Sequence, residues 1–206
     1  MKILFIHQNF PGQFAHLAPV LAADPANEVV ALRVQQEPAA PWKGVRVVAY
    51  RPKRGSTPNI HPWVVDFETK AIRAECVFHT CLALKKQGFT PDAIIAHPGW
   101  GESMFVKEVW PDAPLGIYCE FYYHSEGADT NFDPEFPGAG EAEPCRLRLK
   151  NANNLLHFDL AAAGLSPTHW QASTFPARFR ERISVIHDGI NTAHVAPSPT
   201  AALTVK

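Results

Sequence analysis

Short apolar runs that alternate with stretches of helical periodicity predict an α/β fold: a mostly parallel sheet with helices on both faces. Three observations carry this. Residues 2–7, 28–34, 45–50, 92–96 and 115–122 read as strands buried on both sides, without the apolar–polar alternation of a half-exposed sheet. Residues 13–23 and 62–87 between them repeat apolar positions at helical spacing. Glycines stand at the junctions, as at Gly12, Gly88 and Gly189.

The elements follow in order. The first strand, 2–7, ends in the turn Asn9-Phe10-Pro11-Gly12, and Phe14, Leu17, Ala18 and Leu21 give the next helix its apolar face. Strands follow at 28–34 and 45–50, with Pro38 and Pro41 in the loop between them. The helix over 62–87 presents Phe67, Ala71, Ala74, Phe78, Cys81 and Leu82 on one face, and Gly88 stops it. A strand at 92–96 leads through His97-Pro98-Gly99-Trp100-Gly101 into a short helix at 102–109, and then a strand at 115–122. Residues 124–140, rich in Gly, Pro and acidic side chains, read as a long surface loop. A helix at 142–158 is expected to bury the stripe Leu149, Ala152, Leu156 and Leu160. Strands at 163–166 and 183–187, with helical pieces after Thr168 and Pro176, close the pattern. The whole is Rossmann-like, with about six or seven strands and residues 2–7 central.

Composition narrows the function classes. A net charge of −1 provides no global basic field for nucleic acid, so none is expected as a partner. The 46% hydrophobic and 19% charged residues suit a globular domain. The four cysteines, Cys76, Cys81, Cys119 and Cys145, lack C-x-x-C spacing and read as reduced thiols. His7, Gln8 and Asn9 end the first apolar run before it could serve as a signal peptide, which points to the cytoplasm. No run approaches the ~20 apolar residues that span a bilayer.

In open parallel sheets ligands bind beyond the carboxyl ends of the strands, which selects the loops at 8–12, 97–102 and 122–140. The first carries Pro11, Gly12 and Gln13, where a glycine before a helix lets backbone approach an anion; the plain alternative is a turn that needs Gly. Gly12 is its only glycine, so the loop lacks the G-x-G-x-x-G fingerprint of NAD or FAD and no cofactor is expected. The second offers His97 as a polar donor near neutral pH, expected to be partly exposed at the edge, with Trp100, Gly101 and Glu102 beside it. Glu102 could equally offset a helix dipole. The third, Glu120-Phe121-Tyr122-Tyr123-His124, could stack and hydrogen-bond a sugar, or could be core strand. Ten histidines show neither H-x-x-x-H nor H-E-x-x-H spacing, so no metal site is expected. Arg146, Arg148 and Lys150 form a small basic run.

Together these segments resemble the N-terminal domain of family 4-type glycosyltransferases of the GT-B fold. The carrying residues are Phe10-Pro11-Gly12-Gln13-Phe14 with His16-Leu17, His97 to Glu102, and Glu120 to Tyr123. Ser166-Pro167-Thr168-His169-Trp170-Gln171 and Ile183 to Ile190 add to them. The resemblance covers residues 1–192 and implies one GT-B half that holds the acceptor. It implies retaining transfer of a hexose from a nucleotide sugar to a glycan or lipid-linked acceptor in polysaccharide or glycoconjugate assembly. Pro11, Gly12 and Gln13 would face the donor diphosphate. His97 would be the catalytic residue, touching the transferred sugar. His16, Trp100, Gly101, Glu102, Glu120, Tyr122 and Tyr123 would make acceptor or sugar contacts. The cleft wall would expose an apolar patch including Trp100 or the Tyr122–Tyr123 pair.

The family's second, donor-binding domain carries an E-x7-E-type motif that residues 1–206 do not match, so 193–206 read as a linker towards it. Asn191 stands where the family pattern would place Asp. Two other readings stay open: a stand-alone non-catalytic Rossmann-like binding module, and half of a GT-B-like nucleotide-sugar epimerase. Attachment at the inner face of the membrane is also left open.

Overall fold

A computed structural model describes residues 1–34, 41–128, 130–136, 140–198 and 201–202. Pro38, residues 137–139 of the long loop, and residues 199–200 and 203–206 of the expected linker lie outside them. Seven strands form one sheet, β1 (Lys2–Ile6), β2 (Glu28–Val34), β3 (Arg46–Tyr50), β4 (Ala93–Ala96), β5 (Leu115–Tyr118), β6 (Ala163–Ser166) and β7 (Ile183–Val185). Their order is β3-β2-β1-β4-β5-β6-β7 and every neighbouring pair is parallel. β1 is interior, but the middle position belongs to β4. The chain winds outward from β1 to β3 and then reverses through β4. The β1–β4 seam is therefore the switch point at which parallel sheets open a crevice.

Helices flank both faces, but unequally. On one face α2 (Val65–Lys86), α3 (Val106–Val109) and α5 (Ala152–Leu160) cover Leu4, Ile6, Ile94, Leu115 and Ile117, with Phe175 and Phe179 continuing the core. On the other, α1 (Leu17–Ala23) covers Ile3, Phe5, Val29 and Ala31, next to Phe10 and Phe14. Beyond β1 no helix among the described residues covers this second face. Leu17, Ile95, Gly116, Ala163, Leu165, Ser184 and Ile186 line an open groove of about 500 Å³ there.

Three expected elements differ in ways that matter. The helix expected over 13–23 is a 3-10 turn at Gly12–Phe14 followed by α1 from Leu17, so Gly12 does not open a long helix. The strand expected over 115–122 stops at Tyr118, because Ser166 Oγ and Asn154 Nδ2 take the carbonyls of Cys119 and Phe121 instead. The helix expected over 142–158 is two, α4 (Glu143–Lys150) and α5, meeting at Asn151. Its expected apolar stripe faces out: Leu149, Leu156 and Leu160 are each exposed. The buried side carries Asn151, Asn153, Asn154, His157 and Phe158. On α2, Ala74 and Cys81 of the expected face are buried, and the buried arc extends to Lys70, Val77 and Leu84. The remaining helices are α6 (His169–Thr174), capped by the Thr168 hydroxyl, and α7 (Ala177–Arg180). Among the described residues no helix is long and apolar enough to cross a membrane.

Candidate functional site

The crevice is built where β1 and β4 end. His7 follows β1 and His97 follows β4, and their rings meet edge to face at 5.2 Å. Both imidazoles are almost wholly buried. The expectation that His97 is partly exposed does not hold, because its ring lies between Trp100 at 4.6 Å and Tyr118 at 5.3 Å. Gly99 permits this: a Cβ there would approach the His97 ring to 2.8 Å.

The partners fix the tautomers. Gly99 N–H donates to His97 Nδ1, which leaves Nε2–H to donate to Glu120 Oε2 at 3.2 Å. Asn9 N–H donates to His7 Nδ1, and His7 Nε2–H donates to Gln13 Oε1 at 2.7 Å. Burial pushes His7 down to about 4, so it is neutral near pH 7. The His97 hydrogen bond holds Glu120 below the usual carboxylate range. Its side chain is 51% exposed, so the pair presents a carboxylate to the crevice and keeps the imidazole behind it.

Gly12 has two reasons to be glycine. Its φ is +46°, and a Cβ would lie 2.3 Å from the His7 ring. Gly12→Val should therefore cost at least about 2 kcal/mol in urea unfolding, from left-handed strain plus displacement of His7. Unchanged stability would mean that the turn and the imidazole yield freely.

The other expected residues separate into groups. Trp100 packs on His97 with the rings tilted, and Gln13 holds His7. Tyr123 lines a cavity of about 30 Å³ with Glu120, Lys70, Lys150 and Asn153, room for about one water. Pro11 starts the 3-10 turn. His16 is exposed and lines the open groove beyond β1, apart from His97. Tyr122 leaves the crevice to pack on Phe175 in the core. Gly101, at φ +91°, lies against the Lys70 backbone, where a Cβ would come within 2.5 Å of Lys70 Cβ. Glu102 cannot meet a ligand as expected: it is fully buried and accepts the Tyr50 hydroxyl at 2.6 Å. Neither Trp100 nor the Tyr122–Tyr123 pair forms an exposed apolar patch, because all three are half-buried.

The buried asparagines on α5 hold the two site loops together. Asn153 Nδ2 donates to Pro98 O at 2.8 Å and Asn154 Nδ2 to Phe121 O at 3.2 Å. Asn151 both accepts from Tyr123 N–H and donates to Tyr123 O. His157, behind them, donates from Nδ1 to Asn153 O and receives the Ser103 hydroxyl at Nε2. The Tyr118 hydroxyl donates to the Asp188 carboxylate at 2.8 Å, tying the exit of β7 to the same corner. Sequence reasoning passed over His7, Asn153 and Asn154. His7 was findable, since it stands at the carboxyl end of a strand; the asparagines carry no local signal. Among the described residues no three His, Cys, Asp or Glu side chains converge to hold a metal ion.

Three buried groups make stability depend on pH. Burial holds His7 and His157 down at about 4. As pH falls below about 6.5 the unfolded chain binds these protons first, so stability is full above 6.5 and drains towards 4. A fully shifted imidazole is worth on the order of 3 kcal/mol at the acid end. Burial raises Glu102, which acts oppositely: stability declines as pH rises above its unfolded value near 4.5. Glu102→Gln should therefore steepen the rise in urea-unfolding stability between pH 5 and 8. An unchanged slope would remove Glu102 from the account.

Residues 25–195 match the model of the glycosyl transferase family 4 group. No curated protein matches the chain. Several solved structures do. Os79 from O. sativa, solved with UDP and deoxynivalenol-3-glucoside, has TM-score 0.58 at 10% identity, over 96% of this chain and 55% of that one. Phytolacca americana UGT2, solved with UDP-2-fluoro-glucose and pterostilbene, has TM-score 0.55 at 13% identity, over 90% and 54%. A Polygonum tinctorium UDP-glucosyltransferase has TM-score 0.54 at 10% identity, over 97% and 55%. At such identities the likeness shows the fold, that of one GT-B half. The chain spans about half the length of these structures.

Proposed function

The chain belongs to the glycosyl transferase family 4 group, and from that premise we propose that it is the acceptor-side half of a nucleotide-sugar-dependent hexosyltransferase. The observation that carries the reading is the Glu120 carboxylate, held by buried His97 at the β1–β4 switch point. In this reading the Gly12 turn faces the donor diphosphate and Glu120 faces the sugar carbon that is attacked. The C1–phosphate bond breaks, the acceptor oxygen bonds C1 with retention, and its proton passes to the leaving diphosphate. A fixed negative charge favours the positive charge that develops at C1. His97 then acts as a positioning residue, touching the sugar only through Glu120.

The open groove supports the companion proposal that further polypeptide completes the enzyme. Parallel sheets are normally covered on both faces, and here apolar Leu17, Ile95, Leu165 and Ile186 line an uncovered half. Residues 193–206 are the proposed connection to a donor-binding half. The product fits glycan or glycoconjugate assembly. The test is nucleoside diphosphate release by the two-domain enzyme across a panel of nucleotide sugars and saccharides. Acceptor-dependent release supports transfer. Conversion of the nucleotide sugar without an acceptor favours an epimerase half, and binding without turnover favours a non-catalytic module.

A further inference from the structure

One cluster of rings is left unused by the crevice. Phe121, just past β5, lies 5.5 Å from Trp170 at the start of α6 and 5.6 Å from Tyr123. These rings come from the exits of adjacent strands β5 and β6, so they share the ligand-binding edge of the sheet. Trp170 is 56% exposed, and Lys150 Nζ sits 3.5 Å from the Tyr123 ring centre. The next residue in the chain before Phe121 is Glu120, the half-exposed carboxylate.

We propose that Trp170, with Phe121 tilted against it, forms a stacking platform for a pyranose ring of the acceptor, with Tyr123 edge-on beside them and Glu120 binding the sugar's hydroxyls. This rests on the transferase reading for its role in turnover, though saccharide binding itself does not. The chemistry argues for a sugar over a lipid chain. An aromatic face is electron-rich and attracts the polarised C–H groups of a pyranose, while hydroxyls around the ring rim need charged or polar partners. Here a carboxylate and an ammonium flank the rings. The neighbouring cavity, about 30 Å³, is too small for a sugar, so the ring would lie across its mouth against exposed Trp170 and the half-buried Phe121. The exposed part of Trp170 contributes little to the core, so its removal separates binding from folding.

The experiment titrates the 206-residue chain with methyl glucopyranosides, methyl mannopyranoside, maltose and cellobiose, read by saturation-transfer NMR. At least one probe should bind. Trp170→Ala should weaken that binding about tenfold or more, and Trp170→Tyr should restore most of it, with the melting temperature nearly unchanged. In the two-domain enzyme the same change should raise the acceptor KM about tenfold and leave the donor KM alone. Absence of binding by every probe, or equal binding by wild type and Trp170→Ala, overturns the platform. Transfer with an acceptor KM indifferent to Trp170 overturns it while sparing the transferase reading. Saccharide binding that needs Trp170, without transfer from any nucleotide sugar, leaves the platform standing and sinks the transferase.

Discussion

Assayed without a donor-binding half, the chain is expected to transfer sugar at least about 10⁵-fold more slowly than the two-domain enzyme. In the proposed transfer, catalysis would depend on holding donor and acceptor in one geometry, an effect worth roughly 7–11 kcal/mol. Glu120 and the Gly12 turn supply only one wall. Glu120 is half exposed, so water would compete for the same hydrogen bonds. The chain should nonetheless fold cooperatively, because one continuous core runs from Leu4 through Ile94 and Leu115 to Phe158. The check pairs a urea unfolding curve with a transfer assay on the same preparation. Cooperative unfolding with background turnover is the expected result. Turnover near that of the two-domain enzyme would place the whole active site within these 206 residues.

Glu120→Gln in the two-domain enzyme is expected to lower kcat by about 10²–10³, comparable to losing one preorganised electrostatic partner. The amide keeps the size of the side chain and can still accept from His97 Nε2–H, so the change isolates the charge. Half exposure makes it nearly neutral for folding. His97→Ala behaves differently. It also lowers turnover, but it deletes a buried ring packed on Trp100 and Tyr118 and should cost stability as well. Steady-state kinetics alongside melting curves separate the two. Unchanged kcat in Glu120→Gln would reduce the pair to a structural contact.

The sheet was legible because buried parallel strands read as continuous apolar runs, and 28–34 and 163–166 fall where the sequence places them. The candidate site was legible as a place, through the rule that loops at carboxyl ends carry ligands, which selected the loop opening on His97; Glu120 entered only with the aromatic run that ends the strand expected over 115–122. Its inner arrangement was not. Asn153 and Asn154 look like a solvent face along the sequence, yet they are buried because they satisfy loop carbonyls distant in the chain. That inversion put Leu149, Leu156 and Leu160 on the wrong side of α4 and α5. Glu102 resembled a helix-start residue, and its true partner Tyr50 lies 52 positions away. The positive φ of Gly12 fits the turn that needs glycine, but the His7 ring behind it is a tertiary fact. The bare groove beyond β1 could not be read either, since Ile95 and Leu165 look like any other strand residues.

The most direct measurement is a crystal structure of the two-domain enzyme with an intact nucleotide sugar. The account predicts the donor diphosphate beside the Gly12 turn, a backbone N–H within about 3 Å of a phosphate oxygen, and the Glu120 carboxylate facing the anomeric carbon. A donor bound away from the β1–β4 seam, with Glu120 and His97 paired as here but touching nothing of the sugar, would contradict it.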